Sequence, residues 1–190
     1  MRAAPGGEPP QPLQPLRAVT ESAAGTKELA AALARLVRPG DVVLLVGDLG
    51  AGKTAFAQGF AAGLGVDGPV TSPTFALVRH YRTGAAAPVA ALIHADVYRT
   101  GSLEEVTDLA LAELVEEDAV VVVEWGDVAA PALVESALVV TLVAPDALGA
   151  PERRDVTFRL RGRWSERAAA VAAALVPFAS PLSAAPRGAP

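Results

Sequence analysis

Two runs of this chain are apolar at almost every position. Asp41–Val46 reads DVVLLV and Asp118–Trp125 reads DAVVVVEW. A short continuous apolar run, bounded by polar residues, fits a strand covered on both faces. Between and around these runs the period changes. Leucines at 29, 33 and 36 recur at helical spacing in Thr26–Val37, with Thr26 as the expected N-cap and Pro39-Gly40 as the stop. Helical pattern resumes from Lys53 to about Leu64. Ser102–Glu117 is helical in pattern but broken, and Ser102 with Glu105 forms a capping-box pair. Ser165–Val176 reads as a final helix.

The remaining segments are shorter. Arg17–Ser22 fits an edge strand. Gly68–Gly84 opens as a loop and turns strand-like. Ala87–Arg99 holds a strand expected to end near His94. ALVVTLVA and RRDVTFRLRG read as late strands, antiparallel to each other. Strands alternating with helices predict a three-layer α/β domain with a mainly parallel sheet and antiparallel additions. The segment Met1–Arg17 is Pro-rich without an apolar core, and the last stretch, SPLSAAPRGAP, is similar. The expected organisation is a disordered leader at 1–17, one domain at 18–178 and a disordered tail at 179–190.

Composition removes several classes of function. The net charge of −5 over 190 residues lacks the basic excess needed to coat nucleic acid broadly. DNA binding is therefore not expected, although contact with RNA through a partner remains open. There are no cysteines, so disulfides, thiolate catalysis and Cys-ligated zinc are impossible. No run reaches the ~18 apolar residues of a membrane span. A cytoplasmic protein is the expectation.

The sharpest chemical signal follows the first apolar run. GDLGAGKT, Gly47–Thr54, matches G-x-x-x-x-G-K-[ST] in full. Glycines let the backbone fold tightly and aim several N–H groups at one point, and the next helix adds its N-terminal dipole. Lys53 supplies a point charge for β- and γ-phosphates. The Thr54 hydroxyl suits Mg²⁺ bridging the same phosphates. The candidate cradle comprises Asp48, Leu49, Gly50, Ala51, Gly52, Lys53, Thr54 and Ala55. Guanine-specific relatives of this loop use N-K-x-D, and the chain contains no Asn, so ATP is the expected nucleotide by elimination.

Carboxylates complete the candidate chemistry. Glu124 ends the second apolar run, where a carboxylate can hold the metal's water shell or orient an attacking water. The bland alternative is a solvated strand end. Asp96, in HADVYR, can accept a proton from water or stand behind the metal. His94, Tyr98 and Arg99 can position phosphate or a partner, or can be structural. TSPTF, Thr71–Phe75, reads either as a nucleotide-sensing loop or as a turn into a strand.

Taken in order and spacing, GDLGAGKT, SPTF, HADVYR and VEW resemble the TsaE (YjeE) family, from about Val19 to the end of the final helix. These are small bacterial P-loop ATPases of tRNA threonylcarbamoyladenosine synthesis. The resemblance implies an ATP- and Mg²⁺-dependent ATPase that acts with the TsaD and TsaB proteins. In that system TsaD modifies adenosine 37 of tRNAs reading codons that begin with A. By position, Thr54 and Glu124 would ligate Mg²⁺, and Asp96 would be the acidic catalytic group beside Lys53 and Glu124. Ser72 and Thr74 would lie in a switch-like loop facing the γ-phosphate. Trp125 would present its ring near the nucleotide. Two departures stand out: Ala55 replaces a second Thr common in the family, and the region after Trp125 is atypical. Two rivals remain, a small P-loop kinase of a metabolite and a non-catalytic, nucleotide-dependent scaffold.

Overall fold

A computed structural model of the chain describes residues 14–73, 77–97, 118–125, 136–145 and 152–179. Seven strands form one sheet: β1 Leu16–Thr20, β2 Asp41–Val46, β3 Val78–Arg82, β4 Ala91–Asp96, β5 Ala119–Glu124, β6 Leu138–Val143 and β7 Arg154–Leu160. Their spatial order is β1-β7-β6-β2-β5-β4-β3. The pairs β6–β2, β2–β5 and β5–β4 are parallel. β7 and β3 run against their neighbours, and β1 against β7. The sheet is thus mainly parallel with antiparallel additions, as the pattern predicts.

The two apolar runs became adjacent central strands because their side chains can be buried on both faces. Val43 and Leu45 face one side with Val120 and Val122; Val42 and Leu44 face the other with Val121 and Val123. All are 3% exposed or less. Each such side chain contributes roughly 1.5–3 kcal/mol by leaving water. The first face carries helices α1 (Ala23–Ala34), α2 (Lys53–Gly63) and α3 (Ala168–Leu175), through Leu29, Leu33, Phe56, Phe60, Val171 and Leu175. Burial of both faces is what a three-layer α/β domain requires. The helix expected over Ser102–Glu117, with its Ser102–Glu105 cap, lies outside the described residues.

Helix α2 is seated against α1 at unusually close range. A Cβ on Gly59 would stand 2.3 Å from the backbone of Lys27. Only glycine permits that approach, and it fixes the direction in which the N-terminus of α2 points.

Several boundaries differ from the sequence expectation. β1 begins at Leu16, so Leu16 and Arg17 belong to the sheet and not to the leader expected over 1–17, because they pair with Phe158 and Thr157 of β7. α1 begins after Ser22, whose Oγ accepts from the Gly25 N–H at 3.0 Å, so Ser22 is the cap and not Thr26. Thr26 is buried instead, sharing a 2.8 Å hydroxyl contact with Thr20. β4 runs on through His94 to Asp96. The last helix opens as a 3₁₀ turn, Gly162–Arg167, before α3 begins at Ala168. That tighter turn lets Trp164 and Arg167 both face inward. Arg167 forms a bidentate pair with Asp41, at 2.6 and 2.8 Å, at the start of β2. Among the described residues no helix is long and apolar enough to cross a membrane.

Candidate nucleotide-binding site

Ligands of open parallel sheets bind beyond the carboxyl ends of the strands. Here β2, β5 and β4 are adjacent and parallel, so Gly47, Glu124 and Asp96 reach the same sheet edge. Leu45 pairs with Glu124, and Asp96 pairs with Glu124, in the strand register. A cleft of about 460 Å³ opens there, walled by Leu49, Gly50, Gly52, Lys53, Thr54, Ala55, Ser72, Asp96, Glu124 and Trp125.

The loop can only be built from glycine at its first position. Gly47 has φ +148°, and a Cβ there would lie 2.3 Å from the Leu142 carbonyl oxygen of β6. Lys53, the first residue of α2, is 5% exposed. Its Nζ donates to the carbonyls of Gly47 at 2.6 Å and Asp48 at 2.8 Å, and stands 3.6 Å from the centre of the Trp125 ring. The ammonium is thereby held over the cradle. Trp125 reaches it from an unusual backbone, φ +61°, a left-handed conformation that costs a non-glycine residue of order 1–3 kcal/mol.

The carboxylates are buried and individually partnered. Glu124 is 3% exposed and Asp96 is 5% exposed. Thr54 Oγ1 donates to Glu124 Oε2 at 3.1 Å. Ser72 Oγ donates to Asp96 Oδ2 at 2.7 Å. His94 Nε2 lies 3.0 Å from Glu124 Oε1. With the carboxylate oxygen accepting, this contact takes the His94 tautomer that carries hydrogen on Nε2.

These groups fit a nucleotide with a hard divalent cation. A hydroxyl and two carboxylates are oxygen donors of the kind Mg²⁺ takes. Among the described residues no group of three or more His, Asp or Glu surrounds one point. A cation here would draw most of its ligands from phosphate and water, the usual manner for Mg²⁺.

Most residues singled out from the sequence meet at this cleft. Leu49, Gly50, Gly52, Lys53, Thr54, Ala55, Ser72, Asp96, Glu124 and Trp125 all do so. Asp48 and Ala51 do not line it: Asp48 is exposed, while Ala51 is packed into the core and its N–H donates to the Asp48 carbonyl at 3.1 Å. Thr74, Tyr98 and Arg99 lie outside the described residues. His94 is 0% exposed, so it touches neither phosphate nor a partner; it abuts Glu124. One residue carried no sequence signal. Arg154, at the start of β7, donates through Nε to the Ala51 carbonyl at 2.8 Å and through a terminal nitrogen to the Gly50 carbonyl at 3.2 Å.

That loop on that sheet places the chain among the P-loop nucleotide-binding proteins. Residues 20–154 match the family model described as threonylcarbamoyl adenosine biosynthesis protein TsaE. The chain belongs to the TsaE family. It is 44% identical over 142 residues to the tRNA threonylcarbamoyladenosine biosynthesis protein TsaE of Streptomyces coelicolor, covering 73% of this chain and 93% of that one. The Bacillus subtilis protein of the same name is 38% identical over 141 residues, covering 74% and 83%. The crystal structure of Bacillus subtilis YdiB superposes with a TM-score of 0.69 at 30% identity, over 84% of this chain and 95% of that one.

Proposed function

We propose that this protein is a cytoplasmic ATPase that binds ATP with Mg²⁺ and supports threonylcarbamoyl modification of adenosine 37 in tRNAs reading codons that begin with A. Its partners are the TsaD and TsaB proteins, and it meets tRNA only through that complex. The ATPase domain includes all of β1, from Leu16, and runs through Phe178. The observation that carries this reading is the convergence of Lys53, Thr54, Glu124 and Asp96 on one cleft in a chain of the TsaE family.

Each group has a distinct task. The glycine loop and the N-terminus of α2 bind the phosphate chain through backbone N–H groups. The Lys53 ammonium leaves the Gly47 and Asp48 carbonyls and moves the short distance to the β- and γ-phosphates. Thr54 and Glu124, 3.1 Å apart, would hold the cation, directly or through its water. When bound there, Mg²⁺ would supply charge neutralisation to the phosphate oxygens during hydrolysis. Asp96 keeps one oxygen on Ser72 and presents the other to the attacking water as acceptor of its proton. Trp125 covers Lys53 and limits access of bulk water. Ser72 is tied to the end of β4 through its bond to Asp96.

Turnover by P-loop proteins alone can be slow. The test is therefore made with partners. The purified protein is mixed with TsaD and TsaB from the same source, and complex formation and ATP turnover are measured together. A complex with turnover stimulated above the sum of its parts is expected. Failure to form the complex, or transfer of phosphate to a small metabolite instead of water, would overturn the reading.

A further inference from the structure

The loop's carbonyls are held by two cations on opposite sides. Lys53 takes those of Gly47 and Asp48 from within the cleft; Arg154 takes those of Gly50 and Ala51 from outside it. We propose that Arg154 is a positioning residue for nucleotide binding: its guanidinium holds the Ala51–Gly52 peptide so that the Gly52 N–H faces the phosphates. The proposal rests on the nucleotide-binding reading and adds to it a residue from a distant strand.

The argument is geometric. In a trans peptide the C=O and N–H point in opposite directions. Holding the Gly50 carbonyl toward β7 turns the Ala51 N–H back across the loop, where it does donate to the Asp48 carbonyl at 3.1 Å. Holding the Ala51 carbonyl toward β7 turns the Gly52 N–H away from β7 and toward the cleft that Gly52 lines. Left unheld, this peptide would flip easily, because Gly52 at φ +103° has no side chain to resist rotation. Ala51 is held by its packed side chain, but nothing lies within 4 Å of the place a Cβ would take on Gly50, so on that side of Ala51 the loop has no packing restraint.

The strut is itself anchored. Arg154 pairs with Thr20 of β1, and β7 continues through β6 to β2, the strand that feeds the loop. A terminal nitrogen of Arg154 also donates to the Arg153 carbonyl at 2.7 Å, which fixes the plane of the guanidinium. When nucleotide draws Lys53 away from the Gly47 and Asp48 carbonyls, Arg154 still holds the other two. It keeps the donor aimed during the step in which the loop loses its internal lysine contacts.

The experiment compares the full-length protein with Arg154→Ala, Arg154→Gln and Arg154→Lys. ADP affinity is measured by calorimetry with and without Mg²⁺. Amide exchange of the segment 47–55 is followed in nucleotide-free protein. Loss of one oriented hydrogen bond to an anion predicts an ADP Kd raised about tenfold to a hundredfold in Arg154→Ala. The ratio of Kd values with and without Mg²⁺ should stay unchanged, and Arg154→Lys should recover part of the loss. Exchange should quicken in 47–55 while β1, β6 and β7 keep their protection. Unchanged ADP affinity in folded Arg154→Ala, or faster exchange spread equally over β1, β6 and β7, would overturn the proposal. If the unaltered protein bound no ADP, the nucleotide reading would fall, and the exchange measurement would still decide whether Arg154 holds the loop.

Discussion

Asp96 and Glu124 stand side by side, paired in register at the ends of β4 and β5, yet each accepts from a different hydroxyl. Ser72 donates to Asp96 and Thr54 donates to Glu124. Two buried carboxylates on neighbouring strands are thus divided between the loop that follows α2 and the helix that begins at the cradle.

That division predicts different phenotypes. Glu124→Ala removes the carboxylate proposed to hold the cation and should weaken Mg²⁺-dependent ATP binding and turnover together. Asp96→Ala should leave ATP affinity within a few-fold while slowing turnover by roughly 10²-fold or more, the scale of a lost general base. Measuring affinity, turnover and melting temperature on the same preparations separates the two. Normal turnover in Asp96→Ala, with only a lower melting temperature, would reduce Asp96 to an anchor for Ser72.

His94 offers a finer test of the Glu124 side. Its Nε2–H holds Glu124 Oε1, which leaves Oε2 for Thr54. Residues that orient a metal ligand typically matter 10- to 100-fold. His94→Leu is expected to raise the Mg²⁺ concentration needed for half-maximal turnover by about tenfold. His94→Gln, which keeps an N–H donor near the same place, should restore most of it. An unchanged Mg²⁺ requirement in His94→Leu would show that the contact serves packing alone.

The fold has its own buried pair away from the cleft. Arg167 and Asp41 are 7% and 2% exposed, and the guanidinium also lies 4.0 Å from the Trp164 ring. Breaking one side of such a pair strands a charge, at a cost of about 3–5 kcal/mol. Arg167→Ala should therefore lower stability by that order in urea unfolding, while ADP affinity of the folded fraction stays near normal. A loss below 1 kcal/mol would mean that Asp41 finds other partners, its bond from the Arg38 N–H among them.

Much of this was legible in the sequence, for physical reasons. DVVLLV and DAVVVVEW stand out because a strand buried on both faces leaves no room for polar residues. The cradle stands out because close backbone approach to an anion demands glycine at fixed spacing. Other features were hidden. His94 reads as a strand end, since a buried strand rarely holds a histidine; its partner, Glu124, is 30 residues away. Ser22 is hidden as a cap because the leucine period that marks the helix begins only at Leu29, a full turn after the Gly25 N–H that Ser22 caps. Arg154 meets the Ala51 carbonyl across 103 residues, through an adjacency of β7, β6 and β2 that no local pattern encodes.

Lys53 bears most directly on the central claim. Its ammonium rests on the Gly47 and Asp48 carbonyls against the Trp125 ring, in the cleft that Gly52, Thr54 and Glu124 also line. The decisive measurement is calorimetric titration of Mg·ATP into the unaltered protein and into Lys53→Ala, with folding of both checked by melting temperature. Tight binding by the first and none by the folded second is the predicted result. Equal affinity in the two would contradict the assignment of this loop as a triphosphate site.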